Sequence, residues 1–317
     1  MILVTGATGF LGSNFVRFMN QGETPVRIFR RPGSSLENLA GCSYEDFTGD
    51  LANAADWARA LKNCTTVYHL AACTSLLQKD QGARRQVNIE GTKLLAEVLK
   101  SHPGTRLVYC SSAGAVGLSK KPVILNECSP FDALGIDYFE SKKKGEEIIQ
   151  EAVRSEGLNA VIVNPSTILG AHGMRENQRM LFEKAARGKI LFYTPGGTSV
   201  VFVEDVCRGL LGAAAKGRRG ERYLLAGHNI RLRDYLNAIA HMKGFRGPAI
   251  SLPAIFCEGA GAAAEMLAGK LGRDTGRLAS VFGYYQSDKA ASELGYTLTP
   301  LDHMLQAVAC GLERKSP

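Results

Sequence analysis

Apolar and polar positions along this chain alternate between two rhythms. Short continuous apolar runs predict buried strands near residues 2 to 5, 26 to 29, 66 to 70, 106 to 110 and 159 to 163. Between them, apolar residues recur at helical spacing, as at Phe15, Val16 and Phe18, and predict helices near 11 to 20, 54 to 61, 83 to 101 and 138 to 156. Strand and helix in alternation mean parallel strands joined by crossover helices, an α/β, doubly wound sheet. Beyond Asn164 and Pro165 the rhythm loosens and glycine becomes frequent. The expectation is a dinucleotide-binding unit over 1–166 and a smaller, mainly substrate-binding region over 167–317, with about 200–227 returning to the sheet.

The first strand runs into Thr5-Gly6-Ala7-Thr8-Gly9-Phe10-Leu11-Gly12 and then into the first helix. Glycines at that spacing permit a tight turn, let backbone N–H groups approach a pyrophosphate, and let helix and strand pack closely. The helix N-terminus then faces the anion. Eighteen residues beyond Gly12, where an NAD enzyme places a carboxylate for the ribose hydroxyls, stand Arg30 and Arg31. Arginine grips a 2′-phosphate bidentately, so NADP is expected over NAD. Asp50, before Leu51, follows a strand and is placed either to accept from the adenine amino group or to cap the next helix. Leu70, Ala71 and Ala72 supply small residues where backbone must run close to the ligand.

Two segments carry a tyrosine and a lysine four residues apart, Tyr138/Lys142 and Tyr285/Lys289. On a helix that spacing puts both on one face, where an ammonium favours the phenolate and brings a poor base toward neutrality. Position chooses between them. Tyr138 heads the helix after the fourth predicted strand, Asp137 caps it, and 26 residues earlier Ser112 ends that strand. Its hydroxyl can share the reacting oxygen with Tyr138, although Ser111 competes, since neighbouring strand side chains face opposite ways. Tyr285 is read as a surface residue of a helical segment.

Composition narrows the setting. A net charge of +8 is spread over small clusters without aromatic interleaving, which argues against nucleic acid and for an anionic cofactor or substrate. Eight cysteines lie without C-x-x-C or ligand spacing, so neither a metal nor disulfides are expected. Met1 directly precedes the first strand and no long apolar stretch suggests a span; the expectation is a cytoplasmic protein.

Taken with His69-Leu70-Ala71-Ala72, Val87-Asn88, Ser111-Ser112-Ala113, Tyr138-x-x-x-Lys142 and Asn164-Pro165-Ser166-Thr167, these motifs resemble an extended short-chain dehydrogenase/reductase of the NAD-dependent epimerase/dehydratase superfamily. The resemblance implies a Rossmann-type fold with Ser112, Tyr138 and Lys142 as catalytic residues. It implies cofactor contacts from Gly6, Thr8, Gly9, Phe10, Leu11, Gly12, Arg30, Arg31, Asp50, Leu51, Leu70 to Ala72, Asn88, Tyr138, Lys142, Pro165, Ser166 and Thr167. A homodimer built by helices near 84 to 100 and 138 to 154 is implied as well. The nearest style is that of dihydroflavonol reductases, 3β-hydroxysteroid dehydrogenases and hopanoid-associated epimerases. Ala115-Val116-Gly117 lacks the tyrosine common in nucleotide-sugar enzymes, and Asn164 replaces their arginine, which favours reduction of a small non-nucleotide substrate over sugar epimerisation. Thr74, Ser75, His172 and Met174 are candidate substrate residues.

Overall fold

The computed structural model describes residues 1–257, 259, 266 and 272–313. In chain order the elements are β1 (Ile2–Thr5), α1 (Phe10–Met19), β2 (Val26–Arg30), β3 (Glu45–Thr48), α2 (Ala54–Ala60), β4 (Thr66–His69), α3 (Gln81–Arg84), α4 (Gly91–Lys100), β5 (Arg106–Cys110), β6 (Ile124–Leu125), α5 (Asp137–Glu156), β7 (Ala160–Pro165) and β8 (Thr167–Leu169). There follow α6 (Glu176–Ala186), β9 (Phe192–Tyr193), β10 (Gly197–Phe202), α7 (Val203–Lys216), β11 (Arg222–Leu225), β12 (His228–Arg231), α8 (Leu232–His241), β13 (Ile250–Ser251) and β14 (Phe282–Tyr285). Helices over Arg273–Leu278, Asp288–Leu294 and Leu301–Glu313 complete the described chain.

Seven parallel strands form the main sheet in the order β11-β7-β5-β4-β1-β2-β3. Alternate residues of each strand feed opposite faces. Val4, Ile28, Val108 and Val163 pack with Phe15 and Val16 of α1 and Leu210 of α7, whereas Leu3, Phe29, Leu107 and Ile162 pack with Trp57 of α2, Leu95 of α4 and Ile149 of α5. Strand order reverses between β1 and β4, so the crevice beyond their carboxyl ends is where a ligand belongs in such a sheet. A second sheet, β12-β10-β14-β6 with β8 paired to β10, stands beside it. Its outer layer of α6, α8 and Leu301–Glu313 closes a separate apolar cluster around Ile239, Met304 and Val308.

Two sequence expectations are corrected here. Asp137 is the first residue of α5, not its cap; Ile136 holds the cap position without a side-chain bond. Asp137 instead accepts from Arg84 Nε at 2.7 Å. Tyr285 ends strand β14, is 5% exposed, and donates its hydroxyl to Gly117 O at 2.8 Å. Lys289 turns to Glu221 and the Arg222 carbonyl. The repeated spacing spans a strand, a turn and a helix, so tyrosine and lysine never share a face.

Candidate active site

The glycine turn divides its labour. Gly6 has φ of +67°, and a Cβ there would lie 2.6 Å from Ala71 N, while one on Gly12 would lie 2.1 Å from Gly6 O. These two are required by packing. Gly9 is exposed, and its Cβ would meet only Gly6 O at 3.3 Å. No side chain caps α1 and no acid stands in its first turn, which leaves the N–H groups over Phe10, Leu11 and Gly12 for an anion. A dinucleotide pyrophosphate fits this cradle. Leu70 to Ala72 close its far side: Thr5 Oγ1 accepts from Ala71 N at 3.3 Å and bonds His69 Nδ1 at 3.0 Å. Burial, helped by the Lys142 charge, pushes His69 down to about 3, so this imidazole is a neutral structural pin.

At the end of β2 the two arginines are placed differently. Arg30 is engaged bidentately by Asp46 of β3, at 2.8 and 2.7 Å. Arg31, exposed, remains the cation open to a phosphate. Asp50 accepts from Ala52 N at 2.9 Å in its own turn, and Asn53, not Asp50, caps α2. Leu51 is half-buried and its carbonyl accepts from Trp57 Nε1 at 2.9 Å.

Tyr138, Ser112 and Lys142 are brought together at the carboxyl end of β5. The Ser112 hydroxyl faces the Tyr138 phenol and draws it toward ionisation, whereas Ser111 is buried and turns toward Glu146. Burial dominates, and Tyr138 is pushed up to about 12. Lys142 is 2% exposed, donates to Cys110 O at 2.7 Å and lies 5.1 Å from the Tyr109 ring centre. Desolvation lowers its pKa. The cation that lowers the phenol is Arg175, at the N-terminus of α6, and not Lys142 as the helical spacing alone suggests. Arg175 also donates to Thr74 Oγ1.

The floor beneath this group is a buried polar chain. Asn164 Nδ2 donates to Ser112 O at 2.9 Å and to Glu146, and Glu146 also takes Arg222 at 3.3 Å. Asn88 sits in a π-helical turn over Arg85–Glu90. Its amide brackets Cys73 N and O at 2.9 and 3.0 Å and donates to Ser141 Oγ at 3.0 Å, and Ser141 donates to Tyr138 O at 2.7 Å. Through these bonds Asn88 ties the segment at Cys73 to α5. Pro165 is buried at the end of β7; Ser166 has a buried hydroxyl without a partner, which suits a ligand amide; Thr167 pairs with Thr198 at 2.8 Å.

The substrate candidates scatter. Thr74 stays at the site through Arg175. Ser75 is spent on Asp80, at 2.6 Å. His172 lies against α1 and Asn38, its Nε2 2.6 Å from Asn38 O, and Met174 packs on the outer apolar cluster. Neither faces Tyr138. Leu76, Leu134 and Leu278 pack, as Tyr138 does, against the apolar cluster of Ile136, Phe139 and Val281. Sequence reading gave no role to Glu146, Leu134 or Leu278. Glu146 carried one usable signal, since it follows Lys142 by four residues on the same helix face.

Comparison with known proteins gives the family. The profile of the NAD dependent epimerase/dehydratase family matches residues 2–226. Sterol demethylase protein B of Methylococcus capsulatus is 35% identical over 263 residues, covering 81% of this chain and 79% of that protein. A putative dihydroflavonol 4-reductase of Synechocystis sp. is 30% identical over 319 residues, covering 96% and 92%. The crystal structure of gox2253 superposes with a TM-score of 0.85 at 30% identity, covering 99% of this chain and 98% of that one. The chain belongs to the NAD-dependent epimerase/dehydratase family of extended short-chain dehydrogenases/reductases, enzymes that use a nicotinamide cofactor.

Proposed function

We propose that this chain is an NADP-dependent oxidoreductase that interconverts a carbonyl and an alcohol on a small, non-nucleotide substrate. The observation that carries the reading is the convergence of Tyr138, Ser112 and Lys142 beside the crevice that the glycine turn opens. When bound, the nicotinamide supplies or takes up the hydride. Tyr138 handles the proton at its phenolic oxygen; held at about 12, it is protonated across the neutral range and set to donate to a reduced carbonyl. Ser112 Oγ offers a second hydrogen bond to the same oxygen and stabilises the developing alkoxide. Lys142, anchored on Cys110 O, keeps further N–H donors that would hold a bound cofactor's ribose.

Arg31 supports the NADP preference, with Arg30 available if its bond to Asp46 is exchanged for the phosphate. Val116 and Gly117, buried where nucleotide-sugar enzymes commonly carry a tyrosine, support a non-nucleotide substrate. The named relatives direct the substrate search to sterols and dihydroflavonols. Fluorescence titration with NADPH and NADH tests the cofactor; equal or tighter NADH binding overturns that half. Mixing stoichiometric cofactor with substrate tests the reaction class. Net oxidation or reduction of the cofactor supports the reading, and product without net cofactor change means an epimerase or dehydratase. Half-buried Leu94, Val98 and Ile148 on α4 and α5 support pairing of two copies, which light scattering tests.

A further inference from the structure

The large apolar side chains that stay exposed are not spread evenly. Nine of the thirteen found among the described residues fall between Met180 and Met266. Strands β9 and β13 put Phe192 directly opposite Ile250, and these are 48% and 53% exposed on one face of the ribbon. Leu191, 63% exposed, accepts from Ile250 N at 3.2 Å. Phe245 lies on the turn at Gly188, where an added Cβ would come within 2.9 Å of it. Phe256, 65% exposed, begins four residues past Leu252, whose N–H donates to Tyr193 O at 2.8 Å. The apolar side chains therefore form one neighbourhood on the outer side of the small sheet region.

Its rim is cationic. Lys184, Arg187, Lys189 and Arg246 are exposed there, and among the described residues no carboxylate pairs with any of them. Arg179 and Lys243 nearby are neutralised by Glu183 and Glu313. We propose that this face is a peripheral docking surface for an anionic lipid bilayer, with Leu191, Phe192, Ile250 and Phe256 entering the headgroup boundary and the four cations meeting the lipid charges. Apolar centre and basic rim together are what an interfacial surface needs. A second copy of the chain is the poorer occupant, because a twofold contact would set the same cations against each other. No helix among the described residues is long and apolar enough to cross a membrane. The inference stands apart from the redox assignment.

The experiment is cosedimentation of the whole protein with vesicles of phosphatidylcholine mixed with phosphatidylglycerol, against pure phosphatidylcholine, at low and high salt. Binding to the mixed vesicles that weakens with salt is expected. Each cation at such a surface contributes on the order of 1 kcal/mol, so Arg187→Ala with Lys189→Ala should weaken binding roughly thirtyfold. Phe192→Ser with Ile250→Ser should abolish it while leaving cofactor titration and the melting temperature unchanged. Absence of binding, equal binding to both vesicles, or self-association by light scattering that the Phe192→Ser variant abolishes would each overturn the proposal.

Discussion

Under Tyr138 polar groups are buried and bonded to one another, while around β9 and β13 apolar groups are exposed and bonded to nothing. The first arrangement fixes atoms: Glu146, Asn164, Asn88 and Ser141 hold Ser112 and Tyr138 through hydrogen bonds of 2.7 to 3.0 Å and a charge pair at 3.3 Å. In a low dielectric, such a network is stiff when complete and costly when one member is lost. The second arrangement fixes little and leaves surface for something else to cover. Catalysis and recognition thus occupy regions built on opposite rules, and substitutions in the two should fail differently.

The largest effect belongs to the reacting group. Tyr138→Phe should lower turnover by about 10² to 10⁴ while cofactor titration hardly moves, because the phenol serves only the reacting oxygen. Lys142→Met should damage both. Activity surviving in the Tyr138 variant would end the proposed mechanism. Next, Glu146→Ala breaks a buried charge pair and should cost about 3 to 5 kcal/mol in chemical denaturation. Phe192→Ser, by contrast, should stay within about 0.5 kcal/mol. Comparable losses in the two would erase the contrast between floor and face.

Smaller than the loss at Glu146 is that of Tyr285→Phe. It strands the buried Gly117 carbonyl and should cost about 1 to 3 kcal/mol of stability. Turnover per folded molecule should be unchanged, which separates it from Tyr138→Phe. Last comes Arg175→Ala. A guanidinium favours the phenolate, so its removal raises the Tyr138 pKa and the alkaline rise in alcohol oxidation should move to higher pH, by about one unit or less. A pH profile that stays in place would show that Arg175 does not act on the phenol.

The sequence made the sheet readable for a physical reason: strands buried on both faces are continuous apolar runs, and five of them stand out. Strand β3 did not, because Glu45-Asp46-Phe47-Thr48 is an edge strand with mostly exposed side chains. Its Asp46 then took Arg30 from the neighbouring strand β2, a pairing that no local spacing encodes. The glycine turn and the Tyr138, Lys142 and Ser112 group were legible because each depends on neighbours a turn or a strand end away. The substrate wall was not. Arg175 reaches Thr74 over 101 positions of sequence, and His172 folds back onto α1 over 155 or more, so loop residues that look equivalent in a string diverge in space. Tyr285 shows the converse error, a helical spacing read through what is a strand end.

Strand β11 carries a consequence for how the chain is made. It is the edge of the main sheet beyond β7, yet β8 to β10 of the second sheet and α7 intervene in the chain between β7 and it. Arg106, between β4 and β7, reaches across to the Ala213 and Gly217 carbonyls just ahead of β11. At roughly 5 to 20 residues per second, the nascent chain therefore spends several seconds with β7 as a bare apolar edge open to a neighbouring chain. A fragment ending at residue 166 would keep that edge for good. Aggregation of such a fragment, and its relief by a separate peptide covering 200–227, would mark the arrival of β11 as the step that commits the nascent protein to solubility.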